Sequence, residues 1–292
     1  MPSKEHEDLV AAMVAQVNVE VPTIEEMRSG FEEMMAQLCP PSNANVQSIS
    51  IKGLSADLIT AKNSLDSRAV LYLHGGGYII GSKKTHGELC GRIAESAKAK
   101  VLIIDYRLAP ENPFPAAVDD AVEAYEYLLE TGLNPSQIMI AGDSAGGGLT
   151  LATMLSLKSR NMALPGCACI FSPWVDLTCS GETQKPGVAE DPMLTKEKLL
   201  EMASAYAPGN AKNPIASPLF ADLTGLPPLL IFCGTREVLL SDSKILAEKA
   251  IASGVYTELH VEEGLVHVWQ TLPIPESAES MAVIGALTER HM

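Results

Sequence analysis

The stretch Gly142-Asp143-Ser144-Ala145-Gly146 lies between the apolar run Ile138-Met139-Ile140-Ala141 and a helix-compatible segment reaching Arg160. A chain that passes from strand to helix through G-x-S-x-G turns so tightly that the serine takes a strained backbone conformation. Small residues at 142 and 146 then avoid steric clashes. Ser144 is expected at the carboxyl edge of a sheet and at the positive end of the following helix, where its hydroxyl can act as a nucleophile. Asp143 points the other way from such a turn and is expected to brace it by hydrogen bonding.

Upstream, His74-Gly75-Gly76-Gly77 follows the strand-like Ala69-Val70-Leu71-Tyr72-Leu73. Acyl transfer through a tetrahedral intermediate needs backbone N–H donors aimed at the developing oxyanion. Glycines after a strand supply bare amides, and Ala145, next to the serine, supplies another. A phosphate-cradling role is excluded, because no Gly-Lys-Ser/Thr or G-x-G-x-x-G follows a strand.

Around these motifs, short β-rich runs alternate with helical patterns. Strands are expected at Val46 to Ile51, Ala69 to Leu73, Val101 to Tyr106, Gln137 to Ala141, Cys167 to Ser172, Leu229 to Cys233 and Thr257 to Val261. Helices are expected at Thr85 to Lys98, Ala116 to Glu130, Ala145 to Arg160, Leu194 to Tyr206, Asp242 to Ser253 and Glu276 to Arg290. The alternation predicts an α/β fold, with a mostly parallel, doubly wound sheet that binds ligands at the carboxyl ends of its strands. Residues 1–45 and 180–213 fall outside the alternation. They are expected to form a two-piece helical cap over core segments 46–179 and 214–292, with Met13, Met27, Met34 and Met35 among its apolar positions. Flexible methionines suit a pocket wall.

The 292 residues, 47% hydrophobic, suffice for one large α/β domain or a domain with a small lid. A formal charge of −15 argues against nucleic acid or an anionic membrane surface as partner. The charged start lacks a signal-peptide core and no apolar run approaches the roughly 20 residues of a membrane span, so the expectation is a soluble, cytoplasmic chain. Six cysteines show no metal-type spacing and are expected to be reduced, with no metal site.

Five strings, His74 to Gly77, Asp105 to Glu111, Gly142 to Gly147, Ser172-Pro173-Trp174-Val175-Asp176 and Gly264-Leu265-Val266-His267, occur in the order of one known family. The chain resembles the hormone-sensitive lipase family of α/β-hydrolase esterases. That resemblance implies the α/β-hydrolase fold, a carboxylic ester hydrolase, and a cap built from the N-terminal segment and an insertion. It also implies oxyanion amides at Gly76, Gly77 and Ala145, with His74, Gly75 and Asp143 supporting the motifs. No cofactor is required, and the substrate is a small ester, short-chain because the family's cap encloses a compact acyl pocket. Family members often pair across the last strand of the sheet, which implies a homodimer.

In this fold the chain order is serine, acid, histidine. His6 and His291 are terminal, His86 precedes any acid, and His74 belongs to the glycine motif. His260 shares the polar face of its strand with Tyr256, Glu258 and Glu262 and is expected to face solvent. His267, after the Gly264 turn, is the candidate base. For the acid, Glu237 stands where the family usually carries aspartate, and its longer side chain can reach the same imidazole. Asp242 is the competitor, expected instead to cap a helix from Ser243 to Ser253. Asp105, Arg107 and Glu111 are expected to form an internal ion pair shaping the oxyanion loop. A lactone, epoxide or amide hydrolase of the same fold, or a non-catalytic receptor for a small molecule, are the alternative readings.

Overall fold

Strands that are apolar on both faces need cover on both faces, and helices returning between parallel strands supply it. The computed structural model describes residues 2–15, 23–39 and 41–292. Helices α1 (Lys4–Ala15) and α2 (Ile24–Leu38) precede β1 (Asn45–Ile51), β2 (Leu54–Thr60) and β3 (Leu65–Leu73). Strand and helix then alternate as α3 (Lys83–Ala97), β4 (Ala99–Ile104), α4 (Ala116–Glu130), β5 (Ile138–Asp143) and α5 (Ala145–Ser159). The series ends with β6 (Cys167–Phe171), α6 (Lys196–Tyr206), β7 (Leu229–Gly234), α7 (Leu240–Ala252), β8 (Thr257–Glu262) and α8 (Pro275–His291).

All eight strands join one sheet in the order β1-β2-β4-β3-β5-β6-β7-β8. Strands β3 to β8 pair in parallel, while β2 runs antiparallel to both β1 and β4. Successive residues of β3 serve opposite faces. Leu71 and Leu73 join a core with Ala121 of α4, Leu149 of α5 and Leu246 of α7, and Val70 and Tyr72 join one with Ile93 of α3 and Ile284 of α8. The chain leaves β3 to form β4 on one side and returns to form β5 on the other. That reversal opens a crevice between the carboxyl ends of β3 and β5. The glycine motif follows β3 and Ser144 follows β5, so both face the crevice.

The structure departs from expectation at two elements. Strand β2 is not among the expected strands, although Leu54, Ala56 and Leu58 alternate with Ser55 and Asp57 as in a half-buried strand, because the run is short and loses its alternation at Ile59. Its extended state comes from pairing with β1 through the turn at Lys52 and Gly53 (φ 47° and 101°), and with β4 on its other edge. Helix α7 begins at Leu240, so Asp242 lies inside the first turn and does not cap a helix starting at Ser243. No helix among the described residues is long and apolar enough to cross a membrane. All six cysteines are unpaired and buried.

Candidate active site

Ser144 sits at φ 53° and ψ −119°, between the end of β5 and the start of α5. A non-glycine residue there costs about 1–3 kcal/mol, so the surroundings must hold it. They do so through the Ser144 amide donating to Phe171 O at 2.8 Å and the Trp174 amide donating to Ser144 O at 2.9 Å. The elbow lies so close to β3 that a Cβ on Gly146 would stand 1.9 Å from Leu73 O. The first amides of α5, Ala145 among them, have no carbonyl partner within the helix and form its positive end.

Glu237, in the turn between β7 and α7, is fully buried. Its Oε1 accepts from Ser172 Oγ at 2.7 Å and from the Gly234 amide at 2.5 Å, and its Oε2 lies 2.9 Å from His267 Nδ1. A carboxylate can only accept, so the neutral ring carries its proton on Nδ1 and keeps Nε2 as its basic site. Burial works to lower the pKa of His267, but the hydrogen bond and charge of Glu237 outweigh it and raise it above 6.5. No hydrogen bond joins Ser144 Oγ to the imidazole among the described residues, although both side chains line one cavity.

The glycine motif turns through three successive positive φ angles, 115° at Gly76, 62° at Gly77 and 63° at Tyr78. A Cβ on Gly77 would meet Met202 Sδ at 2.2 Å, so α6 rests directly on this loop. Asp143 braces the loop from beneath: its Oδ1 accepts from the Gly75 amide at 3.0 Å and from Tyr72 OH at 2.8 Å. His86 Nε2 lies 3.3 Å from Asp143 Oδ2. Burial favours a raised carboxyl pKa at Asp143, and the His86 charge with the His86 and Tyr72 hydrogen bonds overcomes it, leaving the net shift downward. His74 stacks on Tyr106 with ring centroids 4.2 Å apart, and burial lowers its pKa to about 3, so the ring is neutral.

The cavity above Ser144 and His267 has a volume of about 150 Å³. Phe31, Met34 and Met35 of α2 form one wall; Met193, Leu194, Leu199 and Met202 form another. Met27 packs against the main core instead. Residues 1, 16–22 and 40 of the expected cap, and the side chains of Met13 and Ala15, lie outside the described residues. No group of three or more His, Cys, Asp or Glu side chains is placed to hold a metal ion among the described residues.

The α/β-hydrolase fold family matches residues 70–271 of this chain. A crystal structure of an esterase from the bacterial hormone-sensitive lipase family superposes with a TM-score of 0.95 at 38% identity, covering 100% of this chain and 99% of that one. The chain belongs to the hormone-sensitive lipase family of α/β-hydrolase esterases. This esterase is also 42% identical to an acetyl-hydrolase of Streptomyces hygroscopicus over 76% of its own chain and 75% of the relative. It is 35% identical to an esterase of Acinetobacter venetianus over 88% of its own chain and 87% of the relative.

Three expectations for the esterase's polar residues need correction. Asp105, Arg107 and Glu111 do not pair with one another. Asp105 accepts from the Lys83 amide at 2.8 Å, Arg107 pairs with Asp120 at 2.7 Å, and Glu111 pairs with Arg28 of α2 at 2.8 Å. Their partners come from three different helices, which local spacing does not reveal. His260 is half-buried, with its ring stacked on Phe232 at 5.0 Å, because β8 lies beside β7 along its whole length. Asp242 is buried and accepts from the Val175 and Asp176 amides, both at 3.1 Å, and from Gln184 at 2.9 Å. Burial, opposed by the Val175 amide, pushes its carboxyl pKa up to about 8.

Sequence reasoning missed Ser172, His86, Tyr72 and Asp191. Asp191 Oδ2 accepts from the Val238 amide, next to Glu237, at 3.0 Å. Ser172 did have a visible signal, since it opens the Ser-Pro-Trp-Val-Asp string, but a serine in a string has no stated partner until the strands are aligned.

Proposed function

We propose that this esterase hydrolyses short-chain carboxylic esters through Ser144, His267 and Glu237, under a cap made of residues 1–45 and 180–213. The observation that carries the mechanism is the Glu237–His267 contact at 2.9 Å, behind the cavity that holds Ser144. His267 Nε2 takes the Ser144 hydroxyl proton as Oγ attacks the ester carbonyl. The Gly76, Gly77 and Ala145 amides stabilise the oxyanion, and Glu237 stabilises the imidazolium. Nε2 then gives its proton to the departing alcohol. A water deprotonated by His267 attacks the acyl-enzyme, and the carboxylic acid leaves as the proton returns to Ser144. The cycle uses no cofactor.

The size of the cavity supports a short acyl group. An apolar cavity of about 150 Å³ holds a molecule of roughly benzene size, so about six carbons fill it. The acetyl-hydrolase relative points in the same direction. The test is a rate profile over p-nitrophenyl esters of increasing acyl length, beside the same profile for Ser144→Ala. The expected result is a maximum at or below about six carbons and a loss of about 10⁴-fold or more in the variant. A maximum at long chains refutes the substrate class, and full turnover by folded Ser144→Ala refutes the mechanism.

A further inference from the structure

Three successive residues at positive φ form a turn in which the Ile79 and Ile80 amides donate to Gly76 O at 3.1 and 3.0 Å, so the direction of the Gly76 and Gly77 amides is linked to how the loop's far end is held. That end is Tyr78 and Ile79. Tyr78 O accepts from the Ala109 amide at 2.9 Å, which joins the loop to the turn Leu108 to Glu111. The next carbonyl, Ile79 O, accepts from Arg28 Nε at 2.8 Å. The same guanidinium donates to Ala109 O at 3.1 Å and to both carboxylate oxygens of Glu111 at 2.9 and 2.8 Å. Four of the five guanidinium N–H groups are thus engaged. Arg28 clamps the loop to the turn, and among the described residues no other side chain donates to Ile79 O.

Arg28 belongs to α2, the helix that carries Phe31, Met34 and Met35 into the cavity. One rigid helix therefore touches the space assigned to the acyl group and, a turn earlier, grips the end of the oxyanion loop. We propose that Arg28 is a positioning residue through which contacts between the acyl chain and α2 set the oxyanion amides, so that acyl binding acts on the chemical step as well as on affinity. The proposal rests on the serine-hydrolase reading above. Remote contacts of this kind raise kcat when they are realised in the transition state. Both acylation and deacylation pass through an oxyanion, so either as the slow step reports the effect.

The experiment compares kcat and KM on p-nitrophenyl acetate and butyrate for wild type, Arg28→Gln, Arg28→Lys and Glu111→Gln. Wild-type kcat is expected to be higher on butyrate. Arg28→Gln should lower kcat on butyrate about 10-fold, keep KM within about twofold, and flatten the difference between the two esters. Arg28→Lys should recover part of that difference, because an ammonium can still reach one or two of the acceptors. Arg160→Gln breaks another arginine–carboxylate pair, with Asp119 at 2.8 Å, and should behave as wild type. Equal losses on both esters, a KM effect with kcat intact, or no effect overturns the proposal. If Arg28→Gln does not fold, wild-type acyl dependence in both Arg28→Lys and Glu111→Gln overturns it. A Ser144→Ala sample with full activity, run alongside, marks failure of the serine mechanism itself.

Discussion

Ser172 Oγ donates to Glu237 Oε1 at 2.7 Å and accepts from the Val268 amide at 3.1 Å. One hydroxyl therefore ties the carboxylate after β7 to the residue that follows His267. Ser172 is held at φ 46° directly after β6, with its amide donating to Phe232 O at 2.7 Å. Three adjacent parallel strands thus contribute to the orientation of one imidazole.

Ser172→Ala removes both contacts and leaves Glu237 with one donor fewer. A hydrogen bond to a buried charged group contributes about 1.5–3 kcal/mol, so the midpoint of thermal unfolding should fall and kcat should drop about 10-fold. A folded Ser172→Ala enzyme with wild-type kcat would show that the clamp does not orient His267.

The two candidate acids separate cleanly. Glu237→Gln removes the charge that favours imidazolium and should cost several hundred- to about 10⁴-fold in kcat. Asp242→Asn keeps an oxygen to accept the Val175 and Asp176 amides, and Gln184 can rotate its amide to meet the new NH₂. Its kcat should stay within a few-fold of wild type. Steady-state kinetics on the two purified variants decide the matter, and the opposite ranking would reassign the acid.

The pH dependence has a definite sign. In the proposed mechanism His267 works as a base only when neutral, and Glu237 more than offsets burial to hold its pKa above 6.5. Activity should therefore rise with pH through a limb centred above 6.5, and fall away below it. A kcat/KM profile for the free enzyme with its acid limb at or below 6.5 contradicts the geometry around Glu237.

Met202 touches Gly77 and lines the cavity. Met202→Ala should lengthen the acyl group that gives the best rate, at a stability cost of about 1 kcal/mol, because its side chain is only half-buried and already borders the cavity. An unchanged chain-length profile would place the acyl group elsewhere.

Much of this arrangement was legible in short strings. The elbow at Ser144 and the glycine turn at His74 to Gly77 are local features, in which neighbouring residue types dictate backbone conformation. The α/β alternation is legible for a related reason: strands apolar on both faces require helices between them. By contrast, β2 escaped notice because its alternation of Leu54, Ala56 and Leu58 with Ser55 and Asp57 is short, and its place between β1 and β4 is set by pairing on both edges.

Sequence alone determined the chemistry available: a strained serine, bare amides, and a histidine and an acid in a fixed chain order. Only the tertiary structure decided which carboxylate meets His267. Glu237 and Asp242 are five residues apart, but the helix starts between them. Glu237 stays in the turn beneath the imidazole, and Asp242 is carried round the first turn of α7 to the Val175 and Asp176 amides. The same holds for Arg28 and Glu111, which are brought together from α2 and the turn after β4. Pairings of this kind depend on helix phase and strand register, which every packed element sets jointly and which no spacing along the chain encodes.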